Sequence, residues 1–472
     1  MSMKRRDFLK ATAATGAAFS TSSLLSSAYA APDPNPRRIG ANDKLNVLSI
    51  GVTGTVGALD RRQVNGHPAA EIVGLCDVNS KVLAKAAEQH KHAFTLADYR
   101  EAFDKHSEKF DAVICATPDH THCAIDTMAL SKGKHVYGQK PLVHQLEEVY
   151  LLKAAVEKNP KLSTQMGNQR MQNAGRRAAV HVLKAGTLGK VKEMFVTTGS
   201  GLQGGGRYFN NRQINPVEPV PAELDWDLWQ SGVQPLIDYR PGIAPIKWRA
   251  LWEYGTGGLG DWGCHLLDVI FYAYPELDSP ISVKAEVTDP PEGMFHAFKS
   301  KAVMVYPTKT DAFAADTVKL HYRDEGQVPS KAELALPDST NPTGDRNQTA
   351  FVCEGGTLIL TAGGKLEIWR NGKNEDWKQL PGMPEFKNFN HWHEWVNTAL
   401  GNYNPELHWS PFGVGLKITE GSLLAVKATK FPGKELKWDS SKLAFTNHEE
   451  ATNTIVKRDY RKGFEPVRVG SA

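Results

Sequence analysis

Cysteine is scarce in this chain of 472 residues, and neither sign of charge dominates it. The five cysteines are too few, and odd in number, for a disulfide framework. Cys76 and Cys115 lie within apolar runs, so we expect buried, inert thiols there. Lys and Arg number 56 against 52 Asp and Glu. Residues 1–10 hold four of these cations and one acid, so the rest of the chain has almost no basic excess and no nucleic-acid partner is expected.

Internal repeats, coiled-coil heptads and low-complexity segments are also absent. The chain is 41% hydrophobic and 23% charged, which excludes a disordered or collagen-like protein. At roughly 150 residues per domain, this length predicts two or three domains with a sizeable core.

The first 30 residues have the features of an export signal. KRRDFLK is followed by a weakly apolar stretch, and Ala28-Tyr29-Ala30 has the small residues that signal peptidase accepts. The stretch is shorter than the roughly 20 apolar residues of a membrane anchor, and no cysteine lies near the cut. We therefore predict a twin-arginine signal over 1–30, a mature chain from Ala31 without an anchor, and a periplasmic or secreted protein. A disordered tail with two arginines is the alternative. Twin-arginine export carries folded proteins, which suits a protein that acquires a cofactor before export.

Apolar runs alternate with helical segments over residues 43–168. The runs LNVLSI, EIVGLCDV, DAVICAT, KHVYGQKP and KLSTQMGN are separated by helical periods, a pattern typical of a doubly wound parallel sheet. We predict a Rossmann domain over 43–168. Residues 169–472 contain several further strand-like runs and helices, including one predicted from about Asp261 to Tyr274. They predict an α+β domain with a large, mostly antiparallel open sheet that binds substrate.

A glycine-rich turn follows the first predicted strand. In IGVTGTVG, glycines allow a tight turn and close approach to a pyrophosphate at a helix N-terminus. Val52 occupies the first glycine position of the usual G-x-G-x-x-G spacing, and a purely structural turn is the alternative. Asp77 ends the next strand, where a carboxylate binds the adenine ribose and repels a 2′-phosphate, which favours NAD over NADP. Its alternative role is to cap the helix near Ser80. The candidate dinucleotide contacts in this region are Gly51, Thr53, Gly54, Thr55, Val56, Gly57 and Asp77.

Two later segments fall at the carboxyl ends of predicted strands, where ligands bind in such sheets. ATPDHTH (116–122) supplies the candidate cofactor contacts Thr117, Pro118, His120 and His122, and GQKP (138–141) supplies two more, Gln139 and Lys140. A lysine at this edge can polarise a substrate hydroxyl or carbonyl. Taken singly, Lys140 could equally be a solvated loop residue, and the histidines helix caps or surface residues.

GGLGDWGCHLLD places Asp261, His265 and Asp268 on one face of a predicted helix. A carboxylate beside an imidazole orients it and raises its basicity, as a general base requires. The alternative is Asp261 as N-cap with His265 in the core. No further ligand at metal spacing supports a metal site, so none is expected.

Five of the eleven tryptophans fall within 226–262. Such a cluster can stack against the C–H faces of a sugar ring, or it can form part of the hydrophobic core.

Together these motifs resemble the glucose-fructose oxidoreductase / inositol dehydrogenase / MocA family over nearly the whole mature chain. The resemblance implies a Rossmann domain, then an α/β domain whose open sheet often forms an oligomer interface, with NAD(P) between them. By motif match, Lys140 corresponds to the lysine of the family's E-K-P motif, and Asp261 and His265 to its D-x-x-x-H pair. Gln139 replaces the usual Glu. Further candidate substrate contacts are Gln169, Arg170, Trp248, Arg249 and Asp268.

The resulting hypothesis is an NAD-dependent oxidoreductase, with NADP as a possible cofactor, for a sugar, polyol or glycoside. His265, oriented by Asp261, takes the hydroxyl proton, and Lys140 steadies the developing oxyanion. Because the periplasm has no obvious nicotinamide pool, the cofactor is expected to stay bound and be recycled. One alternative is an NAD-dependent glycoside hydrolase that uses transient oxidation and elimination. Another is a non-enzymatic sugar-binding protein, favoured only by the altered glycine turn.

Overall fold

The computed structural model describes residues 44–199, 209 and 212–470; the predicted signal, 1–30, lies outside them. The first part of the fold is a six-stranded parallel sheet in the order β3-β2-β1-β4-β5-β6. Its strands are β1 (Leu45–Ile50), β2 (Ala70–Cys76), β3 (Phe94–Leu96), β4 (Ala112–Cys115), β5 (His135–Gly138) and β6 (Thr164–Met166). The helices between them are α1 (Gly57–Asn65), α2 (Ser80–Ala87), α3 (Tyr99–Lys105), α4 (His122–Ser131) and α5 (Leu146–Lys158).

This sheet confirms the doubly wound prediction. The central strands β1 and β4 are almost wholly buried. Helices cover both faces of such a sheet, so buried and exposed side chains do not alternate along these strands. The strand order reverses between β1 and β4, and this is the point where open α/β sheets bind ligands beyond their carboxyl ends.

The second part is a ten-stranded sheet in the order β14-β13-β12-β11-β7-β10-β9-β8-β15-β16. Most neighbours are antiparallel, and β7 pairs with β10 in parallel. Its strands are β7 (Val191–Thr197), β8 (Ser282–Asp289), β9 (Phe298–Pro307), β10 (Thr317–Arg323), β11 (Gln348–Cys353), β12 (Gly356–Thr361), β13 (Leu366–Arg370), β14 (Lys373–Glu375), β15 (Glu435–Asp439) and β16 (Ala444–Phe445). The prediction of a large, mostly antiparallel sheet is confirmed.

Six α-helices of the described residues belong to the second part, and α10 (Phe412–Ala428) contacts both β6 of the first sheet and β8 and β9 of the second. They are α6 (Ala174–Lys184), α7 (Trp226–Gln230), α8 (Gly257–Ala273), α9 (His391–Ala399), α10 (Phe412–Ala428) and α11 (Glu449–Ile455). Helix α8 packs against α10 and α6, and α10 also packs against α5 of the first part. Every residue of α8 except Trp262 is buried. The central helix of the molecule thus brings its polar residues into a low-dielectric interior.

Helix α8 begins four residues earlier than predicted. The run GTGG suggests a loop because glycine is a poor helix former, yet the helix starts at Gly257 and Asp261 lies in its second turn. Glycine is favoured here by close packing: Gly257 has φ +63°, and a Cβ there would lie 3.0 Å from His296 Cγ. Asp261 is therefore not the N-cap, which removes that alternative.

The chain ends by crossing back over the first part. Arg458 Nη2 donates to the carbonyl of His120 at 2.6 Å, and Val467 N donates to Thr127 Oγ1 at 2.9 Å. Arg461 N donates to the carbonyl of Gly232 at 3.1 Å. Residues 458–467 thus tie both parts of the molecule together. The five cysteines are free and buried, as expected, and among the described residues no helix is long and apolar enough to cross a membrane.

Candidate active site

A cavity of about 560 Å³ lies beyond the carboxyl ends of β1, β2 and β4. This volume is in the usual range for a ligand pocket. Of the predicted dinucleotide contacts, those that line it are Gly51, Thr53, Gly54, Thr55, Val56, Asp77, Thr117 and Pro118. Helix α1 begins at this cavity, and Val56 at its N-cap makes no side-chain hydrogen bond to the first turn. The amides of that turn are the donors that a pyrophosphate requires.

Two glycines make the tight turn possible. Gly51 has φ +80°, and a Cβ there would lie 2.6 Å from the carbonyl oxygen of Ala116. A Cβ on Gly57 would lie 2.3 Å from the carbonyl oxygen of Gly51, so Gly57 packs behind the turn and does not line the cavity. The turn keeps its shape although Val52 departs from the usual spacing, because the Val52 side chain points into the core.

Asp77 lies on the cavity wall at the end of β2. Its two oxygens accept the amides of Val52 and Asn79, each at 3.0 Å. Asn79, not Asp77, caps helix α2 by accepting from the amides of Lys81 and Val82. Burial raises the pKa of Asp77, and its two backbone hydrogen bonds act against that shift. The Asp77 carboxylate is thus held at the end of β2, the position predicted to bind the adenine ribose.

The opposite wall of the cavity comes from residues 221–249, which we call the strap. Two backbone hydrogen bonds attach it beside Asp77: Ser80 N donates to Glu223 O at 2.8 Å, and Asp225 N donates to Val78 O at 2.9 Å. Strap residues that line the cavity are Pro221, Glu223, Leu224, Leu228, Trp229, Ser231, Tyr239, Ala244, Pro245, Ile246, Trp248 and Arg249. A ligand in the cavity would be enclosed by both parts of the molecule.

His120 and His122 differ from the prediction that they contact the cofactor. His120 faces two backbone carbonyls, with Nε2 2.9 Å from Trp229 O and Nδ1 3.3 Å from Tyr254 O. Burial lowers the pKa of His120 to about 3, so the ring is neutral and donates to one of them. His122 lies between Pro141 O at 2.7 Å and Thr117 O at 2.9 Å. Neither lines the cavity, because backbone carbonyls occupy their ring nitrogens.

Gln139 is also turned away from the cavity. Its Nε2 donates to Asp60 Oδ2 at 2.7 Å, and Trp392 Nε1 donates to Asp60 Oδ1 at 2.9 Å. Burial raises the pKa of Asp60 to about 7, against the lowering effect of these two donors. An amide at position 139 therefore suits this chain, because a glutamate there would face the buried carboxyl of Asp60.

Lys140 and Asp261 meet in the interior. Lys140 Nζ lies 2.8 Å from Asp261 Oδ1 and 2.5 Å from its carbonyl oxygen. Arg249 Nε approaches the same Oδ1 at 3.4 Å, and Arg249 also lines the cavity. Neither Lys140 nor Asp261 lines the cavity itself; Arg249 links the pair to it, and the pair is largely shielded from water. A buried ammonium at this place can stabilise a developing oxyanion.

His265 is held by Asn168, a residue that sequence analysis did not select. His265 Nδ1 lies 2.5 Å from Asn168 Oδ1. Asn168 Nδ2 donates to Cys264 O at 2.7 Å and to Asp268 Oδ2 at 3.1 Å, which fixes the orientation of the amide. Nδ1 of His265 must therefore carry the proton, and Nε2 keeps its lone pair. This differs from the expectation that Asp261 orients the ring; Asp261 acts on His265 through its charge.

The electrostatic surroundings keep His265 neutral. Burial, followed by the charges of Lys140 and Arg170, holds the pKa of His265 well below its usual value, and the charge of Asp261 opposes them. Asp268 pairs with Arg176, and both side chains are wholly buried. Burial raises the pKa of Asp268, while Arg176 acts against it. Hydrogen bonds and one ion pair thus link His265 through Asn168 and Asp268 to Arg176, and the whole chain of contacts is shielded from solvent.

The remaining substrate candidates fall into two groups. Trp248 is buried and lines the cavity, with the Arg249 guanidinium 4.1 Å from its ring centroid. Gln169 and Arg170 follow Asn168 directly, and Arg170 lies 5.0 Å from the ring centroid of Trp262. Trp262 is also next to His265, at 5.8 Å between ring centroids. Of the five clustered tryptophans, Trp226, Trp229, Trp248 and Trp252 are buried, as a core requires.

Sequence reasoning also missed Asp119. It is buried, accepts a hydrogen bond from Thr256 Oγ1 at 2.8 Å, and has its pKa raised by burial. Asp119 and Asn168 both follow strands of the parallel sheet. The edge rule that selected 116–122 and 138–141 therefore applies to them too, and it could have found both.

Two family models match consecutive parts of the chain. Residues 45–167 match the oxidoreductase family with an NAD-binding Rossmann fold, and 173–306 match the C-terminal alpha/beta domain of the same family. Residues 2–22 match the twin-arginine translocation signal sequence, which indicates export.

Curated relatives are similar over part of their length. A glycosyl hydrolase family 109 protein of Shewanella baltica (strain OS185) is 26% identical over 282 residues, 54% of this chain and 53% of that protein. Inositol 2-dehydrogenase of Salmonella typhimurium is 27% identical over 149 residues, 31% of this chain and 43% of that enzyme. The chain spans about half the length of the curated relatives it matches.

Solved structures extend the likeness to most of the chain. Aldose-aldose oxidoreductase from Caulobacter crescentus, complexed with glycerol, has a TM-score of 0.55 at 16% identity, covering 84% of this chain and 100% of that one. The WlbA dehydrogenase from Bordetella pertussis, in complex with NADH and UDP-GlcNAcA, has a TM-score of 0.57 at 16% identity, covering 85% and 99%. These likenesses show the fold. With the two family models, which together span more than half of the 472 residues, they establish that the chain belongs to the Gfo/Idh/MocA oxidoreductase family, whose Rossmann domain binds NAD.

Proposed function

We propose that the protein is an exported NAD-dependent oxidoreductase that acts on a hydroxyl group of a sugar, polyol or glycoside. The observation that carries this proposal is a neutral imidazole beside a buried ammonium. Asn168 fixes the proton of His265 on Nδ1, so Nε2 is an unprotonated base. Lys140 lies in the same cluster, held by Asp261 at 2.8 Å.

The residues divide the chemistry between them. His265 Nε2 takes the proton of the substrate hydroxyl, and the Lys140 ammonium stabilises the negative charge that develops on the oxygen. Asp261 holds Lys140 in place and offsets its charge. When bound, the nicotinamide accepts the hydride from the carbon that carries this oxygen. Because Lys140 keeps a partner throughout, the cluster needs little rearrangement during the reaction.

The enclosure of the cavity supports a tightly held cofactor that is reduced and reoxidised in place. The strap is attached beside Asp77 through the backbone hydrogen bonds of Ser80 and Asp225, so release of the dinucleotide would require part of this wall to open. We expect nicotinamide nucleotide in the supernatant when purified protein is denatured. Recovery of no nucleotide, together with no binding of added NAD or NADP, would contradict the oxidoreductase proposal.

Asp77 supports a preference for NAD over NADP. In a double variant, Asp77→Ala removes the repulsion of a 2′-phosphate and Asn79→Arg supplies a cation for it, so the NAD to NADP affinity ratio should fall. Asn79→Arg also removes the cap of α2, at a cost of about 1 kcal/mol in stability. Asn79→Arg alone is the control for that cost. An unchanged affinity ratio in the double variant would place Asp77 away from the ribose.

The glycosyl hydrolase family 109 relatives favour a second candidate, an NAD-dependent glycoside hydrolase. Transient oxidation of a sugar hydroxyl acidifies a neighbouring C–H bond, and loss of that proton expels the glycosidic oxygen. Addition of water and return of the hydride then leave no net redox change. The same His265 and Lys140 would serve this reaction.

A panel of free sugars and aryl glycosides separates the two candidates. Absorbance of reduced nicotinamide reports oxidation, and mass spectrometry reports cleavage products. Keto sugar without release of aglycone supports the dehydrogenase, whereas free aglycone with no net reduced cofactor supports the hydrolase. Neither product from any substrate, with cofactor bound, would favour the sugar-binding alternative. His265→Asn is the matched inactive control.

Export through the twin-arginine route leads us to propose a periplasmic or secreted location, with cleavage before Ala31 and no membrane anchor. A homo-oligomer through the ten-stranded sheet remains a prediction, which light scattering of the purified protein would test.

A further inference from the structure

The catalytic cluster contains more cations than carboxylates. Among the described residues, Lys140 and Arg249 share one carboxylate, that of Asp261, and Arg176 is matched by Asp268. Arg170 adds a fourth cation, whose charge also reaches His265. Asp119 is the third carboxylate, and burial raises its pKa. The cluster therefore has an excess of positive charge before substrate binds.

Of these four cations, Arg170 is the one that forms no ion pair with any residue in the described part of the chain. Its Nη1 donates to the carbonyl of Ala362 at 3.1 Å, and its Nε is buried without a hydrogen-bond partner. Asp268 and Asp345 contribute to its electrostatic surroundings from beyond ion-pair distance, and Asp345 Oδ1 accepts the amide of Asn347. Nη2 makes no hydrogen bond with the described residues, so this end of the guanidinium is left for a ligand.

Trp262 places Arg170 at the reacting end of the site. Arg170 and His265 both contact this indole, at 5.0 Å from its centroid for the guanidinium carbon and 5.8 Å between ring centroids for the imidazole. Trp262 is also the one residue of α8 that is not buried. A sugar ring resting on the indole would have its hydroxyls near His265 and a substituent near Arg170.

A partly buried cation without a counter-ion loses hydration that no protein group replaces. An anionic substituent on the substrate would restore this loss, because a guanidinium binds carboxylate and phosphate through two parallel hydrogen bonds. A neutral sugar offers hydroxyl groups, which are weaker acceptors and leave the excess charge unmatched.

We propose that the substrate of this site carries an anionic substituent, a carboxylate or a phosphate, that pairs with Arg170. The inference rests on the proposed oxidoreductase function and names its substrate class: an acidic sugar or a sugar phosphate whose reacting hydroxyl lies at His265 and Lys140. Arg170 is then a specificity-determining residue.

The test compares matched ligands that differ in one group. Calorimetric titration of the purified holoprotein with D-glucose, D-glucuronate and D-glucose 6-phosphate measures binding, and reduced nicotinamide measures turnover. We expect the Kd of one anionic ligand to be about 10- to 100-fold below that of glucose, the effect of one charge-assisted pair. The carboxylate and phosphate arms identify which anion is preferred.

Arg170→Gln keeps the length of the side chain and removes the charge, so it should abolish most of this preference. Its matched control is Arg177→Gln. Arg177 also donates to a backbone carbonyl, that of Lys387, and its guanidinium also lies against aromatic rings, 5.0 Å from Phe389 and 5.6 Å from Phe386. The control should keep the anion preference, and melting temperatures show whether either variant is misfolded.

The results separate this inference from the function on which it rests. Turnover of neutral sugars without any anion preference overturns the anionic substrate and leaves the oxidoreductase intact. Anion binding that requires Arg170, but without turnover, supports the anion site and contradicts the proposed function. A preference that survives Arg170→Gln overturns the role of Arg170. If Arg170→Gln does not fold, Arg170→Lys replaces it, and an unchanged preference for carboxylate there would contradict the two-bond pairing.

Discussion

Buried histidines near the two ends of the site have different surroundings, although the same motif analysis selected them. In the loop 116–122, His120 and His122 each have both ring nitrogens against backbone carbonyls. In helix α8, Nδ1 of His265 meets an amide oxygen whose orientation is fixed, and Nε2 retains its lone pair. Only the second arrangement leaves a basic nitrogen for substrate.

This contrast separates the histidine that we propose as the base, His265, from a structural histidine, His120. Burial lowers the pKa of both His120 and His265, so neutrality alone does not separate them. Their hydrogen-bond partners separate them. Backbone carbonyls lie against both ring nitrogens of His120, whereas Asn168 contacts only Nδ1 of His265. Substitutions at these positions test that distinction.

The largest effect is expected for His265→Asn. The variant keeps a hydrogen-bonding group of similar volume and removes the base, so turnover should fall by about 10²–10⁴-fold. Cofactor content and melting temperature should change little. Steady-state kinetics and thermal melting measure both. A variant that stays active but melts much lower would identify His265 as a core residue and reverse the comparison.

Asn168→Ala should reduce kcat by about 10- to 100-fold with a smaller change in KM, because the imidazole loses the partner that orients it. Asn168→Asp should recover part of this rate. Its carboxylate favours the imidazolium, so the acid limb of the kcat profile should move to higher pH than in the unaltered protein, where it is expected below pH 6.5. If both variants keep the original acid limb, Asn168 does not position the base.

In contrast to His265→Asn, His120→Gln should lower stability and leave turnover almost unchanged. It removes the ring N–H that satisfies one of the two buried carbonyls, Trp229 O or Tyr254 O, so we expect a loss of about 1–3 kcal/mol in the free energy of unfolding. Turnover per folded protein should remain within about threefold of the original, since no proton transfer is assigned to this ring. Denaturant unfolding and active-site titration separate the two. A fall in kcat comparable with that of His265→Asn would contradict the structural role.

The smallest effect concerns pH and Asp60, behind the cofactor turn. Because the pKa of Asp60 is raised to about 7, the folded state binds a proton more tightly than the unfolded chain. The stabilisation from this proton is fully present below about pH 4 and is lost as the pH rises through about 7. The melting temperature of the original protein minus that of Asp60→Asn should therefore fall as the pH rises over this range. A constant difference would show that Asp60 is ionised throughout.

Local sequence pattern was enough to predict the parallel sheet, the cofactor turn and the second sheet. Gly51, Gly57 and Asp77 lie where strand ends and turns placed them, since these features depend on neighbours in sequence. The partner of His265 was missed because Asn168 and His265 are 97 residues apart and meet only when β6 and α8 pack together. The start of α8 was misplaced for a related reason: Gly257 packs against His296, and distant packing of this kind outweighs the low helix propensity of glycine.

The path of residues 458–467 has a consequence for biosynthesis. Arg458 supports the loop that contains His120, 338 positions earlier, and Arg461 binds the strap at Gly232. These contacts form only after the last segment has left the ribosome, so the cofactor cavity reaches its final shape late in folding, after most of the chain has collapsed. A ribosome stalled shortly before residue 458 would hold a chain whose Rossmann sheet is complete and whose strap still lacks its contact with Arg461.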